Sequence, residues 1–303
     1  MMKKSGRSCV SVAAAVAGLF AMANAHAVWT FDNNNTGAIT ISNLSPTAPT
    51  ASGDPKIVSA KGIYAANNTA TNSGFAAGAT WSAGNLYNYA GSGLGMYTGG
   101  ESGQPYHALD NNGGYTEAVL LNFESSVVLS SIGLGYVSGD ADVSVFRWTG
   151  SGSPTGNPTA LLGEGAAAMS GWDLVGNYGN LAVDTSADPN NYANRINTGT
   201  ADGSGAAGAG GKGSSWWLIS AYNAGYTATA GESRNVLGQG NDYFKLYAVQ
   251  GTKCTSTAAG VCGPGQVPPP GGGVPEPASL ALVGLALAGA AGGRRRSKPA
   301  VGA

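Results

Sequence analysis

Glycine decides what this chain cannot be. Fifty of the 303 residues are Gly, more than twice the usual share of roughly 7%, and they fall between short runs of Val, Ile, Leu, Tyr and Phe. Each Gly in a helix interior costs about 1 kcal/mol relative to Ala, and no run carries an apolar stripe of helical period. Charged residues make up 10% of the chain and the net charge is −1. Together these features exclude a coiled coil, a helix bundle and a basic nucleic-acid-binding surface.

Short apolar runs bounded by turn residues read as strands. They fall at 38–42, 56–64, 117–123, 127–136, 142–148, 216–222 and 243–250, with Glu124-Ser125-Ser126 as a turn between two of them. The stretch 199–213, with seven glycines in 15 residues, reads as a flexible surface loop. The expected fold class is all-β, with a single β-sandwich or jelly-roll-like domain over 28–251 and long Gly-rich loops.

Both ends of the chain read as addresses. Lys3, Lys4 and Arg7 precede an apolar stretch at 10–22, and Ala25-His26-Ala27 forms a small-x-small cleavage site, the layout of a secretory signal peptide over 1–27. Cleavage is expected after Ala27, with Ala25 as the alternative. Export leaves two cysteines, Cys254 and Cys262, free to pair. Their bridge would close a small local loop in a Cys- and Pro/Gly-containing linker at 252–273, rigidifying a tail without stapling the domain. Beyond it come Pro275-Glu276-Pro277, then 16 uncharged residues at 278–293, then Arg294, Arg295, Arg296 and Lys298. As a helix the uncharged segment is about 24 Å long, short for a span but usable in a thin bilayer. The basic cluster after it acts as a stop-transfer signal that stays cytoplasmic.

Pro-Glu-Pro, an apolar segment and a terminal Arg cluster, in that order over 274–298, resemble the PEP-CTERM sorting signal of Gram-negative bacteria. The resemblance implies a C-terminal sorting helix that holds the protein transiently in the inner membrane. It also implies recognition by an exosortase, then delivery to the cell surface or extracellular matrix, with exopolysaccharide and biofilm as the setting. A second run resembles exosortase-dependent surface proteins of proteobacteria. It comprises 107–111, 117–123, 133–135 and 140–142, and the domain ends with Asp242-Tyr243-Phe244-Lys245-Leu246. That resemblance implies a surface protein and no particular chemistry.

Catalytic motifs are scarce. No G-x-S-x-G sequence occurs, and after export His107 is the single histidine a nucleophilic triad could use. The chain is therefore expected not to be an enzyme, with a secreted hydrolase as the remote alternative. The glycines at 208–213 lack the outer residues of a phosphate loop. Between the ends, the chain carries eight Lys and Arg against sixteen acids, which suits a cation. Asp110, Asn111, Glu117, Asp140 and Asp142 supply the hard oxygen ligands that calcium takes, if the strands bring them together. Trp216 and Trp217 are adjacent, so in a strand they face opposite sides. One belongs to the core, and the other is covered by a loop or exposed to stack on a sugar ring. These features frame the alternative function, a calcium-assisted carbohydrate-binding module.

Overall fold

A computed structural model describes residues 26–262, apart from 33–35, 48–53, 69–73, 99–104, 106, 151–153, 155–164, 187–192, 239 and 257. The expected signal peptide up to residue 25 and the expected sorting helix lie outside the described residues.

The described residues form thirteen strands and no helix. In chain order these are β1 (Ala27–Thr30), β2 (Gly37–Ala38), β3 (Ile41–Leu44), β4 (Ile57–Ala66), β5 (Ser82–Tyr89), β6 (Gly93–Tyr97), β7 (Leu109–Asp110), β8 (Tyr115–Val137), β9 (Val143–Trp148), β10 (Trp172–Tyr178), β11 (Ser214–Ala221), β12 (Glu232–Arg234) and β13 (Tyr243–Lys253). The protein is all-β, as expected. The two separate layers of a sandwich or jelly roll are not what the strands build, however. All thirteen belong to one sheet, and β13-β6-β5-β4-β8 closes on itself into a five-stranded barrel through the β13–β8 pairing. A side branch, β11-β9-β10-β12, extends from β8.

β8 makes both arrangements possible. The turn expected at 124–126 does not form, and one strand runs 23 residues straight through it. Its first half pairs with β4, ending at Ile57↔Phe123, and its second half pairs with β13, starting at Lys253↔Val127. Between them, Glu124 donates its backbone N–H to Lys56 O and Cys254 donates to Ser126 O. The polar residues there mark the change of partner, because their backbone groups are satisfied by the strand leaving and the strand arriving. Three register shifts in the β8–β13 ladder supply the bending that closure requires.

Closure also depends on glycine. β6 meets β13 at the single pair Leu246↔Leu94, where a Cβ on Gly93 would stand 2.3 Å from Leu246 O and one on Gly135 would stand 2.3 Å from Ser92 O. Only residues without a side chain let the seam approach this closely.

Two cores result. Trp29, Phe123, Leu134, Leu246 and Trp217 belong to the barrel-side cluster, and Trp29 and Phe123 meet edge to face with ring centroids 5.0 Å apart. On the other face of the branch, Trp81, Phe146, Leu174 and Trp216 form a second cluster, against which Phe75 and Tyr226 pack. Every residue of β11 is therefore buried. Trp216 and Trp217 do face opposite sides, and both are covered. Neither is the exposed sugar platform the sequence allowed.

The domain extends past 251. Cys254 and Cys262 form a disulfide, and the loop it closes is docked on the sheet and is not a loose tail. Ser126 Oγ donates to Cys262 O at 2.7 Å and Gly213 donates to Val261 O at 2.7 Å. Arg147 Nη1 donates to Gly260 O at 2.9 Å and Val261 O at 3.0 Å, while its Nε pairs with Asp173 at 2.9 Å. The stretch 199–213 is pinned as well. Gly199 donates to Glu232 Oε1, and Asn197 Nδ2 donates to Leu129 O and Lys212 O.

Candidate functional site

The side branch and the end of the barrel meet at a carboxylate cluster. Asp140 and Asp142 lie just before β9, and Asp242 lies just before β13. Asp140 bridges to Asp242 in parallel register, and Tyr243 donates its backbone N–H to Asp140 O. This pairing brings together residues a hundred positions apart. One carboxylate oxygen from each of Asp140, Asp142 and Asp242 lies within 4.8 Å of the others.

Backbone donors aim at these carboxylates. Asp142 Oδ1 accepts from Asn180 N at 2.8 Å, Asp142 Oδ2 accepts from Gly238 N, and Asp242 Oδ1 accepts from Asp142 N at 2.8 Å. Asn111 completes the wall. Its Oδ1 accepts from Asp242 N at 2.9 Å, and its Nδ2 donates to Asp242 Oδ2 and to Tyr222 O. Gly238 closes over the cluster so tightly that a Cβ there would stand 2.8 Å from Asp140 Oδ2.

Burial sets the electrostatics. Asp142 and Asp242 are fully buried and Asp140 is half-buried. Removal from water disfavours the charged form, and it pushes the Asp242 carboxyl up to about 8, with the Asp142 and Asp140 charges adding to the rise. The Asp142 carboxyl is likewise raised, first by burial, against the pull of the Asn180 and Gly238 amides. Raised in this way, the Asp242 carboxyl favours its protonated form at neutral pH unless a cation takes the proton's place. Chemically the cluster can hold a proton, or it can offer hard oxygen ligands to a divalent cation.

Of the calcium candidates read from sequence, the structure brings Asn111, Asp140 and Asp142 to this site. Asp110 and Glu117 are also buried, but they meet each other, with Asp110 N donating to Glu117 Oε2 at 3.4 Å, and they are not among the three convergent carboxyls. Asp242 was missed as a ligand because its closeness comes from a strand bridge with no local sequence pattern. His107 stacks on Tyr89 at 5.7 Å and meets Tyr97 edge on, a packing arrangement. Lys245, buried within β13, lies 3.9 Å above the Tyr136 ring and 4.7 Å above Tyr89. That desolvation lowers its ammonium to about 8.

No helix among the described residues is long and apolar enough to cross a membrane, and the expected span at 278–293 lies outside them. No curated protein and no solved structure matches the chain. One family comparison does identify its C-terminus: the family model of the PEP-CTERM protein-sorting motif matches residues 273–296, and the chain therefore ends in a PEP-CTERM sorting motif.

Proposed function

We propose that this chain is a non-enzymatic surface or extracellular-matrix protein of a Gram-negative bacterium, held at the inner membrane by its tail, sorted and processed by an exosortase, and retained among exopolysaccharide in a biofilm. The sorting motif at 273–296 carries the reading. Pro275, Glu276 and Pro277 form the recognition element, and Arg294, Arg295 and Arg296 hold the tail in place before processing. The fold suits this role. Its first strand pairs with its last, and its clasp at Cys254 and Cys262 lies immediately before the Pro/Gly stretch of the sequence.

Replacing Arg294, Arg295 and Arg296 with Gln removes the positive charge that fixes orientation. The variant is expected to lose most of its surface display, measured by surface labelling of intact cells. Display at the wild-type level would remove the tail from this account.

The cluster of Asp140, Asp142 and Asp242 favours a second reading, a cation-assisted binding module whose ion is calcium. Its support is the convergence of three carboxyls in a chain with an acidic excess. Its signature is a melting temperature that rises in millimolar calcium and no longer does so in an Asp140→Ala/Asp142→Ala variant.

A further inference from the structure

The export signal offers two overlapping small-x-small sites, Ala23-Asn24-Ala25 and Ala25-His26-Ala27, and sequence rules accept either. The fold does not treat their products alike. Ala27 is the first residue of β1, pairs with Gly251 of β13 and is fully buried. Val28 follows at 3% exposure, paired with Gln250, and Thr47 donates both its backbone N–H and its hydroxyl to Val28 O. His26 is part of the same structure. Ser130 Oγ donates to Gln250 O at 3.3 Å and is hydrogen-bonded to the His26 imidazole, whose Nδ1 lies 3.1 Å away. His26 also lines a shallow cavity with Val128, Ser130, Gly208 and Thr252.

We infer that the leader is removed at the Ala25–His26 bond, so that the mature protein begins with His26 and not with Val28. The inference rests on the export reading. Water hydrolyses that peptide bond, leaving a carboxylate on the Ala25 end of the leader and a new α-amino group on His26. Cleavage acts on the unfolded chain, so the fold does not choose the bond; it decides which product folds completely. A cut after Ala27 deletes the Ala27–Gly251 pair and the His26–Ser130 bond. It also places a fresh ammonium on Val28, a residue buried with Ala248 beside β13, where a charge is poorly tolerated. A cut after Ala25 keeps every one of these contacts and leaves the ammonium on half-buried His26.

The test is mass spectrometry of the N-terminal peptide of the full chain produced in an exporting Gram-negative host. A peptide starting at His26 supports the inference. One starting at Val28 overturns it while leaving export intact, and one still carrying Met1 overturns the export reading itself. Two variants separate the sites without depending on folding, because the readout is the cut in the precursor. Ala23→Leu alters only the first site and is expected to abolish the His26 start. Ala27→Leu alters only the second and is expected to leave the His26 start at wild-type yield. The reverse pattern would overturn the inference. As a folding check, a chain engineered to begin at Val28 is expected to melt about 4 °C below one beginning at His26.

Discussion

In the presence of a chelator, wild-type protein is expected to lose stability relative to an Asp242→Asn variant as the pH rises from about 4 to about 8. The sign follows from the direction of the shift. Burial raises the Asp242 carboxyl from 3.8 to about 8 in the folded protein, so between those values the native state holds a proton that the unfolded chain releases. A group of this kind contributes its full stability below the unfolded value and loses it as the pH climbs to the folded one. This is opposite to the behaviour of a carboxylate held charged by a salt bridge. The loss is at most about 6 kcal/mol, from the size of the Asp242 shift at about 1.4 kcal/mol per unit. Asp242→Asn keeps the size of the side chain and cannot ionise, so the difference in melting temperature between the two proteins isolates the site. A gap that stays flat across the window would show that the cluster does not hold its proton. Calcium supplies the second arm. A bound divalent ion takes the place of the proton, and a ligand at a hundred times its Kd adds about 2.7 kcal/mol. At pH 8, millimolar calcium is therefore expected to restore the lost melting temperature in wild type and to leave the Asp140→Ala/Asp142→Ala variant unmoved. No shift in wild type would reduce the cluster to a structural proton-sharing site.

Arg147→Met is expected to cost about 3 kcal/mol, the scale for removing one partner of a buried, multiply bonded charge. For a domain of this size that is a fall in melting temperature of roughly 6–12 °C. Arg147 is 8% exposed, and one guanidinium serves Asp173, Gly213 O, Gly260 O and Val261 O. Its planar fork can reach several acceptors at once, which a lysine ammonium cannot reproduce in the same geometry, so Arg147→Lys is expected to recover less than half of the loss. Opening the disulfide by Cys254→Ser/Cys262→Ser removes about 2.5 kcal/mol in the chain-entropy picture. Arg147 and the disulfide hold the same loop, so combining the changes is expected to cost clearly less than their sum. Additive losses, read by denaturant melts, would mean that Arg147 acts on the sheet alone and does not clasp the loop.

Which parts of this structure could be read from the sequence depends on how local their causes are. β4, β9, β11 and β13 are dense runs of Val, Ile, Leu, Tyr and Trp, and they form within a few residues of where the pattern puts them. β5 and β6 were invisible for the same physical reason that they matter. Gly84, Gly93 and Gly95 dilute the strand signal, yet Gly93 is what lets the barrel seam close. Glu124-Ser125-Ser126 is polar and reads as a turn, but the strand continues there because two different neighbours satisfy its backbone. The sandwich expectation fell short for that reason: it divided β8, the one strand that joins the barrel to its side branch. At the site, Asp140, Asp142 and Asn111 were legible as oxygen ligands. Asp242 was not, since only a bridge between the starts of β9 and β13 brings it within reach. The sorting tail was the most legible part, because its three elements act as a linear signal and need no fold to be recognised.

The most direct test of the account is the mass of the C-terminal peptide of the mature protein, isolated from native cells with and without the exosortase. A chain ending near Pro275, Glu276 and Pro277 is expected when the enzyme is present, and a tail intact through Arg296 when it is absent. An intact tail in both strains would contradict processing at the motif and leave this protein a plain membrane-tethered β-domain.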